Sequence, residues 1–309
     1  ASIIAPAIAG MLYPTVGLGG ILPMGLAALS VAIAILVILK IPQPEGDLDK
    51  TWVDQGIALQ SRSGQAGKIG QELMARMQHL WADITFGIRY VWQTRGLRAL
   101  LIVTVLFWSA HDLSDTIYAP MILARTNSSS QALGAVGTAA GVGGVLGAIA
   151  LSFWGGFQQH HRGMLTGFMG AGLAKITFGL GQSLTVWIPA QVCSSLNFPL
   201  LGGSETALWM AATPPSLHGR VFAARAVVDD IADMGVVLLA GVLADRVFEP
   251  AITSPSLLQS WFAPVLGTDA GAGIALLYVG CAIAMLLVGI VGFRMPQLRL
   301  IGKTEKVEP

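Results

Sequence analysis

Long apolar runs separated by polar joints dominate this chain, and most of the runs are long enough for a helix that crosses a membrane. A helix rises 1.5 Å per residue, so about 20 apolar residues cross the roughly 30 Å hydrocarbon core of a bilayer. Only helices and closed barrels satisfy their backbone hydrogen bonds in lipid, and runs of this length favour helices. The pattern predicts an all-α integral membrane protein with eight spans: 1–15, 18–40, 97–123, 131–153, 163–182, 185–211, 221–244 and 271–293.

The long polar stretch at residues 41–96 has a different pattern. Residues 42–67 are rich in Pro, Gly, Gln, Ser and Asp, which predicts a loop. Residues 68–92 carry apolar side chains at spacings of three and four, which predicts an amphipathic helix. We expect this helix to lie on the membrane surface, and binding to a partner protein is the alternative. Its apolar stripe consists of Ile69, Leu73, Met77, Leu80, Ile84, Ile88 and Val91.

The span at 131–153 is unusually rich in glycine. Small residues let membrane helices approach each other closely. The pattern predicts a tightly packed helix or one that slides against its neighbours, and the two interpretations are compatible. The glycines are Gly134, Gly137, Gly141, Gly143, Gly144 and Gly147.

Composition and charge distribution support this organisation. Hydrophobic residues make up 54% of the 309 residues and charged residues 11%, whereas soluble domains carry about a quarter charged residues. If the spans alternate in direction, 15 of the 18 Lys and Arg lie on one side of the membrane. Arg125 and Arg246 lie on the other side, and Lys175 lies inside a span. Because cytoplasmic loops carry the excess of Lys and Arg, residues 41–96 and the C-terminus are predicted to be cytoplasmic.

Three ionisable residues, His111, Asp112 and Asp115, lie near the middle of the span at 97–123. An Asp at the centre of a span costs roughly 2.5–3.5 kcal/mol on insertion scales. Residues three or four apart share a helix face, so these side chains can form one polar cluster. Such a cluster is expected to face a hydrated cavity, where Asp112 and Asp115 bind a proton or a cationic substrate and His111 tunes them.

Two further spans also carry acidic residues. Glu205 lies in the span at 185–211, and Asp229, Asp230 and Asp233 lie in the span at 221–244. Glu205, Asp229 and Asp233 are candidates for the same proton or substrate site. Hydration near a membrane face is an alternative explanation for Asp230 and Glu205.

Lys175 has a predicted acidic partner. Lys175 and Asp233 both lie about 18 Å from the cytoplasmic ends of their helices, at 1.5 Å per residue. Equal depth favours a structural ion pair between them, and a substrate ligand is the alternative role for Lys175.

The sequence predicts no catalytic residue, no metal site and no cofactor. Phosphate-binding and hydrolase motifs are not found. Cys193 and Cys281 lie in apolar runs, where they are expected to pack as small hydrophobic residues. His160 and His161 are neighbours and do not share a helix face, so this pair alone predicts no metal site.

Short motifs accompany the spans. A proline followed by small residues stands in the first span, at Pro6, Ala9 and Gly10. The joint "GGFQQHHRGM" at 155–164 keeps both glycines, Gly156 and Gly163, of a G-x-x-x-D-x-x-G-R pattern. His160 and Met164 occupy the Asp and Arg positions of that pattern. The stretch "PPSLHGRVFAARAVV" begins at residue 214 and contains Gly219, Arg220 and Arg225.

These motifs resemble those of the major facilitator superfamily, and in particular the bacterial exporters that include macrolide-efflux and siderophore-export proteins. Members of that family have twelve helices in two halves, and the resemblance implies a fragment covering helices five to twelve. The implied domains are the last two helices of the N-terminal half at 1–40, a cytoplasmic linker at 41–96, the C-terminal six-helix half at 97–293 and a cytoplasmic tail at 294–309.

The resemblance implies a proton-coupled secondary transporter of the bacterial cytoplasmic membrane, with several spans and a cytoplasmic C-terminus. It would export an amphiphilic drug, secondary metabolite or siderophore by alternating access. The expected partners are this small molecule, protons and the lipid bilayer, and no nucleic acid. Arg220 and Arg225 are expected to tie the cytoplasmic loop to helix ends or lipid headgroups.

Two alternatives remain open at this point. The same fold could import a small solute, or it could serve as a membrane scaffold or receptor without transport. An intramembrane enzyme is not expected, because Ser109 and His111 are two residues apart and face away from each other on a helix.

Overall fold

A computed structural model of the chain describes residues 81–253 and 257–301. The described residues form helices joined by short turns, without a β-strand, and all of them after residue 83 belong to one compact unit. Several predicted features lie outside the described residues: the spans 1–15 and 18–40, the motif residues Pro6, Ala9 and Gly10, the loop 42–67, the first part of the helix 68–92 and the end of the tail 294–309.

The helices are labelled in chain order. A 3₁₀ turn at Pro215–Leu217 precedes α7, and a π-helical turn at Ala244–Phe248 follows it. The helices are α1 (81–93), α2 (Arg95–Arg125), α3 (Ser130–Trp154), α4 (His160–Leu180), α5 (Leu184–Leu196), α6 (Phe198–Ala212), α7 (His218–Leu243), α8 (Glu249–Thr253), α9 (Leu257–Leu266), α10 (Ala272–Arg294) and α11 (Pro296–Leu300).

The helices confirm the predicted all-α membrane protein. Within the described residues, α2, α3, α4, the joined α5–α6 and α10 are long and apolar enough to cross a membrane. The predicted spans from 97 to 293 coincide with these helices and α7 to within three residues at each end. Helix α7 differs from the others in composition, because it contains two Arg and three Asp residues.

Two apolar clusters hold the helices together. One surrounds Phe178, Trp187 and Tyr278, and the other surrounds Phe107 and Phe168. The rings of Phe107 and Phe168 stack with their centroids 3.6 Å apart. Helix α10 packs against α4 and α2, and α7 packs against α2. These contacts place α2 between α7 and α10, and the polar residues of α2 lie within this arrangement.

The glycines of α3 form a close seam with α5. A Cβ atom at Gly143 would collide with the carbonyl oxygen of Val192, and one at Gly147 would collide with that of Leu196. Gly144 faces open space instead. The seam agrees with the predicted tight packing.

The single span predicted at 185–211 is interrupted in the structure. Asn197 separates α5 from α6, and its side-chain amide donates a hydrogen bond of 2.8 Å to the carbonyl of Cys193. Pro199 cannot donate a backbone hydrogen bond, and it lies in the first turn of α6, where a proline is tolerated.

Helix α1 packs through a face that differs by one position from the predicted stripe. Val91 is buried as expected, but Ile88 is exposed. Gly87 lies against α7 instead: a Cβ atom there would collide with the backbone carbonyl of Arg220. A side chain at this position would keep α1 away from α7, so close approach decides which residues are buried.

Candidate functional site

An acidic cavity lies between α2 and α7, with a volume of about 270 Å³. It brings together Asp112 from α2 with all three carboxylates of α7, two of which, Asp229 and Asp233, are predicted candidates. One guanidinium and one indole complete it. Its lining residues are Trp108, Asp112, Arg225, Asp229, Asp230 and Asp233.

The three ionisable residues at the centre of α2 point in different directions. Asp112 lines the acidic cavity with a third of its side chain exposed. Asp115 is exposed but lies outside the cavity lining. Ser114, between them, is fully buried. The predicted cluster is therefore divided, and only Asp112 joins the carboxylates of α7.

His111 lies against aromatic rings, at the limit of ion-pair distance from the Asp112 carboxylate. Its ring stacks on Trp108 at 5.3 Å and meets Phe198 edge to face at 4.8 Å. The distance from His111 Nδ1 to Asp112 Oδ1 is 4.0 Å. Among the described residues this nitrogen is buried without a hydrogen-bond partner.

A buried ion pair joins α6 to α7. Glu205 is 1% exposed and its Oε1 accepts a charge-assisted hydrogen bond from Arg225 Nη2. The indole nitrogen of Trp108 donates to Glu205 Oε2 at 3.0 Å, so both carboxylate oxygens have a donor. Arg225 also lies over the ring of Trp209, 5.1 Å from its centroid. Because Glu205 is buried and both of its oxygens accept hydrogen bonds, hydration near a membrane face does not explain this residue.

Arg225 links this ion pair to the acidic cavity. Its Nε atom donates to Asp229 Oδ2 at 3.2 Å. The other oxygen, Asp229 Oδ1, is buried and has no hydrogen-bond partner in the described part of the chain. The expectation that Arg225 ties a loop to helix ends or headgroups is wrong, because its guanidinium is satisfied by two carboxylates between helices.

Lys175 does not form the predicted ion pair with Asp233. Lys175 is 3% exposed and its ammonium group donates to Ser114 Oγ at 2.7 Å. It also lies over the ring of Tyr278, 5.4 Å from its centroid. Ser114 in turn donates to the carbonyl of His111 at 2.6 Å. Within the described ranges, no carboxylate lies within 4.0 Å of Lys175.

The loop-motif residues serve local geometry. Gly155 and Gly156 have φ angles of 78° and 77°, in the left-handed region that favours glycine, and they end α3. A Cβ atom at Gly163 would collide with the side chain of Ser204, so this glycine sets the approach of α4 to α6. A Cβ atom at Gly219 would meet open space. Arg220 lies over the ring of Phe86, 5.3 Å from its centroid.

Sequence reasoning missed Trp108 and Ser114. Trp108 stands four residues before Asp112 and therefore shares its helix face, which was a usable signal. Ser114 carried no such signal, because serines in membrane helices commonly bond their own backbone. Where residues are described, no group of three or more His, Cys, Asp or Glu is arranged to hold a metal ion.

Sequence comparison gives relatives that agree with the motifs. The chain is 24% identical over 232 residues to the multidrug efflux pump Tap of Mycolicibacterium fortuitum, covering 73% of this chain and 49% of that protein. It is 20% identical over 247 residues to macrolide efflux protein A of Streptococcus pyogenes, covering 79% and 55%. This chain is similar to bacterial efflux proteins.

The efflux relatives agree with the resemblance to major facilitator exporters. The macrolide efflux protein A of Enterococcus faecalis is 19% identical over 222 residues, covering 71% of this chain and 61% of its own length. The chain spans between about half and three fifths of the length of these relatives. No protein-family model and no solved structure matches the chain.

Proposed function

We propose that this protein is a proton-coupled secondary transporter that exports an amphiphilic small molecule across the bacterial cytoplasmic membrane. The single observation that supports it most is the acidic cavity between α2 and α7, with four carboxylates and one guanidinium among its six lining residues. Carboxylates at membrane depth are costly and are characteristic of proton and cation sites. The similarity to efflux proteins favours export.

Protons and substrate would share the acidic cavity. A carboxylate that binds a proton loses its charge, so protonation of Asp112 or Asp229 lowers the cost of moving that face between aqueous and apolar surroundings. A cationic or amphiphilic substrate would compete with the proton for the same oxygens, which couples the two fluxes. Alternating access would expose the site to each side of the membrane in turn.

The candidate substrates are a drug such as a macrolide, a secondary metabolite or a siderophore. A macrolide is the first choice, because two relatives carry that word in their names. The C-terminus and the segment before α2 would face the cytoplasm, since the basic residues concentrate at that end of the helices.

The experiment compares carboxylate variants of the full-length protein in everted membrane vesicles. Uptake of a radiolabelled macrolide and of ethidium is measured after an inward-acidic proton gradient is imposed. We expect Asp112→Asn to reduce gradient-driven uptake of both probes at least tenfold. Asp115→Asn should have a smaller effect, because Asp115 lies outside the cavity lining. The double variant should match Asp112→Asn.

Asp269→Asn is the matched control, because Asp269 is exposed in the joint before α10. It should transport both probes at the wild-type rate. Full activity of the Asp112 and double variants would overturn the proposed proton site. Gradient-driven loss of either probe from loaded everted vesicles would indicate import instead of export.

A further inference from the structure

A second cavity lies at one end of the helices, away from the acidic cavity. It has a volume of about 660 Å³, which is within the usual range of small-molecule sites. Its walls are the start of α2, the turn after α6, and α11. We call it the Arg95 groove, after the one charged residue in its lining.

One unpartnered buried polar group belongs to a residue that lines the Arg95 groove. Thr213 is 3% exposed and its hydroxyl has no hydrogen-bond partner among the described residues. Native proteins satisfy almost all buried polar groups, so an unsatisfied one that lines a cavity indicates a ligand or a water molecule. Three further polar residues, Tyr90, Thr94 and Gln297, also line the groove.

The charge of the Arg95 groove favours an anion. Arg95 has no ion-pair partner in the described part of the chain, and no Asp or Glu lines the groove. The groove also lies at the N-terminal end of α2, a helix of 31 residues.

The other residues that line the Arg95 groove are mostly apolar, which favours a ligand with an apolar part. Leu97, Leu300 and Ile301 contribute alkyl side chains, and prolines 214, 215 and 296 contribute rings. A simple inorganic anion would leave this surface unused, whereas an amphiphile with an anionic head and an apolar body would cover it. Arginine binds phosphate oxygens through paired charge-assisted hydrogen bonds, so phosphate suits the head.

We propose that the Arg95 groove binds the phosphate headgroup of an anionic phospholipid, with Arg95 and the Thr213 hydroxyl as its donors and the apolar lining against its glycerol and upper acyl atoms. A soluble phosphate ester shares this chemistry and is distinguished by experiment. The proposal goes beyond transport and holds whether or not the protein exports a drug.

The test is native mass spectrometry of the full-length protein in detergent, titrated with phosphatidylglycerol. We expect one tightly bound lipid in the wild-type protein. Arg95→Gln should weaken its binding about tenfold or more, the effect of losing a charge-assisted contact. Thr213→Val keeps the side-chain shape, and it should weaken binding by about two- to tenfold, because it removes one neutral donor.

Arg98→Gln is the matched control. It removes the same charge one turn further along α2, from a residue that is exposed and outside the groove lining, and it should leave binding within about twofold. Displacement of the lipid by equimolar glycerol 3-phosphate would support the soluble ester as the natural source. Equal loss in the Arg95 and Arg98 variants, or no bound lipid in the wild-type protein, would overturn the site.

Discussion

The ion pair between Glu205 and Arg225 is the residue-level feature with the clearest energetic consequence. Their side chains are 2% and 17% exposed, so neither charge is well hydrated. Removing one member of a buried pair leaves the other charge uncompensated, which costs about 3–5 kcal/mol, whereas replacing both by apolar groups is often neutral. The stability contributed by each of these two side chains therefore depends strongly on the presence of the other.

A double-mutant cycle tests this coupling. Glu205→Met alone and Arg225→Met alone should each lower the free energy of unfolding by about 3–5 kcal/mol. The combined Glu205→Met and Arg225→Met variant should recover more than half of that loss. Thermal unfolding of the purified full-length protein in detergent measures all three. Additive losses would mean that the two side chains do not interact in the folded protein.

Lys175 and Ser114 are bonded to each other, but replacing Ser114 should lower the stability more than replacing Lys175. Ser114→Ala removes the hydroxyl that accepts from the buried Lys175 ammonium, and an unsatisfied buried donor costs about 1–3 kcal/mol. Lys175→Met replaces a costly amine by an apolar side chain of similar length and should change stability by less than about 1 kcal/mol. The same unfolding measurement compares the two variants. A larger loss for Lys175→Met would show that the ammonium group itself stabilises the fold.

The sequence identified the polar residues of the site better than their partners. Spacing placed Asp112, Asp229 and Asp233 on helix faces that could share a site, because helix periodicity is regular, but Asp230 was not among the candidates. Lys175 and Asp233 have equal depth, but depth is only the axial coordinate. Their rotation about the helix axes is set by packing against neighbours, and it directs Lys175 to Ser114.

At the level of helices, the contact between α3 and α5 depends on glycine. The backbones approach so closely at Gly143 and Gly147 that no side chain fits there. The sequence predicted close packing of this helix but not which glycines face α5. It also predicted α5 and α6 as one span, which the joined helix Leu184–Ala212 confirms, but it did not predict the turn at Asn197.

Adjacent glycines of α3 provide a direct comparison. Gly143→Ala should destabilise the protein by about 1–3 kcal/mol, the usual cost of overpacking, because its Cβ atom would collide with the Val192 carbonyl. Gly144→Ala should be neutral or stabilising, since alanine favours helix and the site is open. Folded yield and melting temperature of the two variants measure the difference. Equal effects would contradict the seam.

At the level of the whole molecule, the charge distribution makes a prediction about orientation. The turn that holds Gln158, between α3 and α4, should be cytoplasmic. The joint that holds Thr268 lies at the start of α10 and should face outward, because the end of α10 leads into the basic C-terminal tail that is predicted to be cytoplasmic. The similarity to efflux proteins supports the family resemblance that the motifs suggested. The positions of these two joints were predicted from the order of the apolar runs alone.

Cysteine accessibility tests this orientation. In a variant with Cys193 and Cys281 replaced by serine, Thr268→Cys should react with a membrane-impermeant maleimide in intact cells. Gln158→Cys should react only after the cells are lysed. Both residues are exposed in the structure, so burial does not limit the reaction. The reverse pattern would mean that the chain crosses the membrane in the opposite sense.

Helix α2 carries the Arg95 groove at its first turn, Trp108 and Asp112 at its centre, and Ser114 beside Lys175. Its 31 residues make a rod about 46 Å long, well beyond the hydrocarbon thickness of roughly 30 Å. A tilt of about 10° around its midpoint would displace either end by about 4 Å. The acidic cavity lies near the centre of α2, so a headgroup that holds the Arg95 end would bias the tilt of this helix. Membrane composition would in this way influence how far the acidic cavity opens.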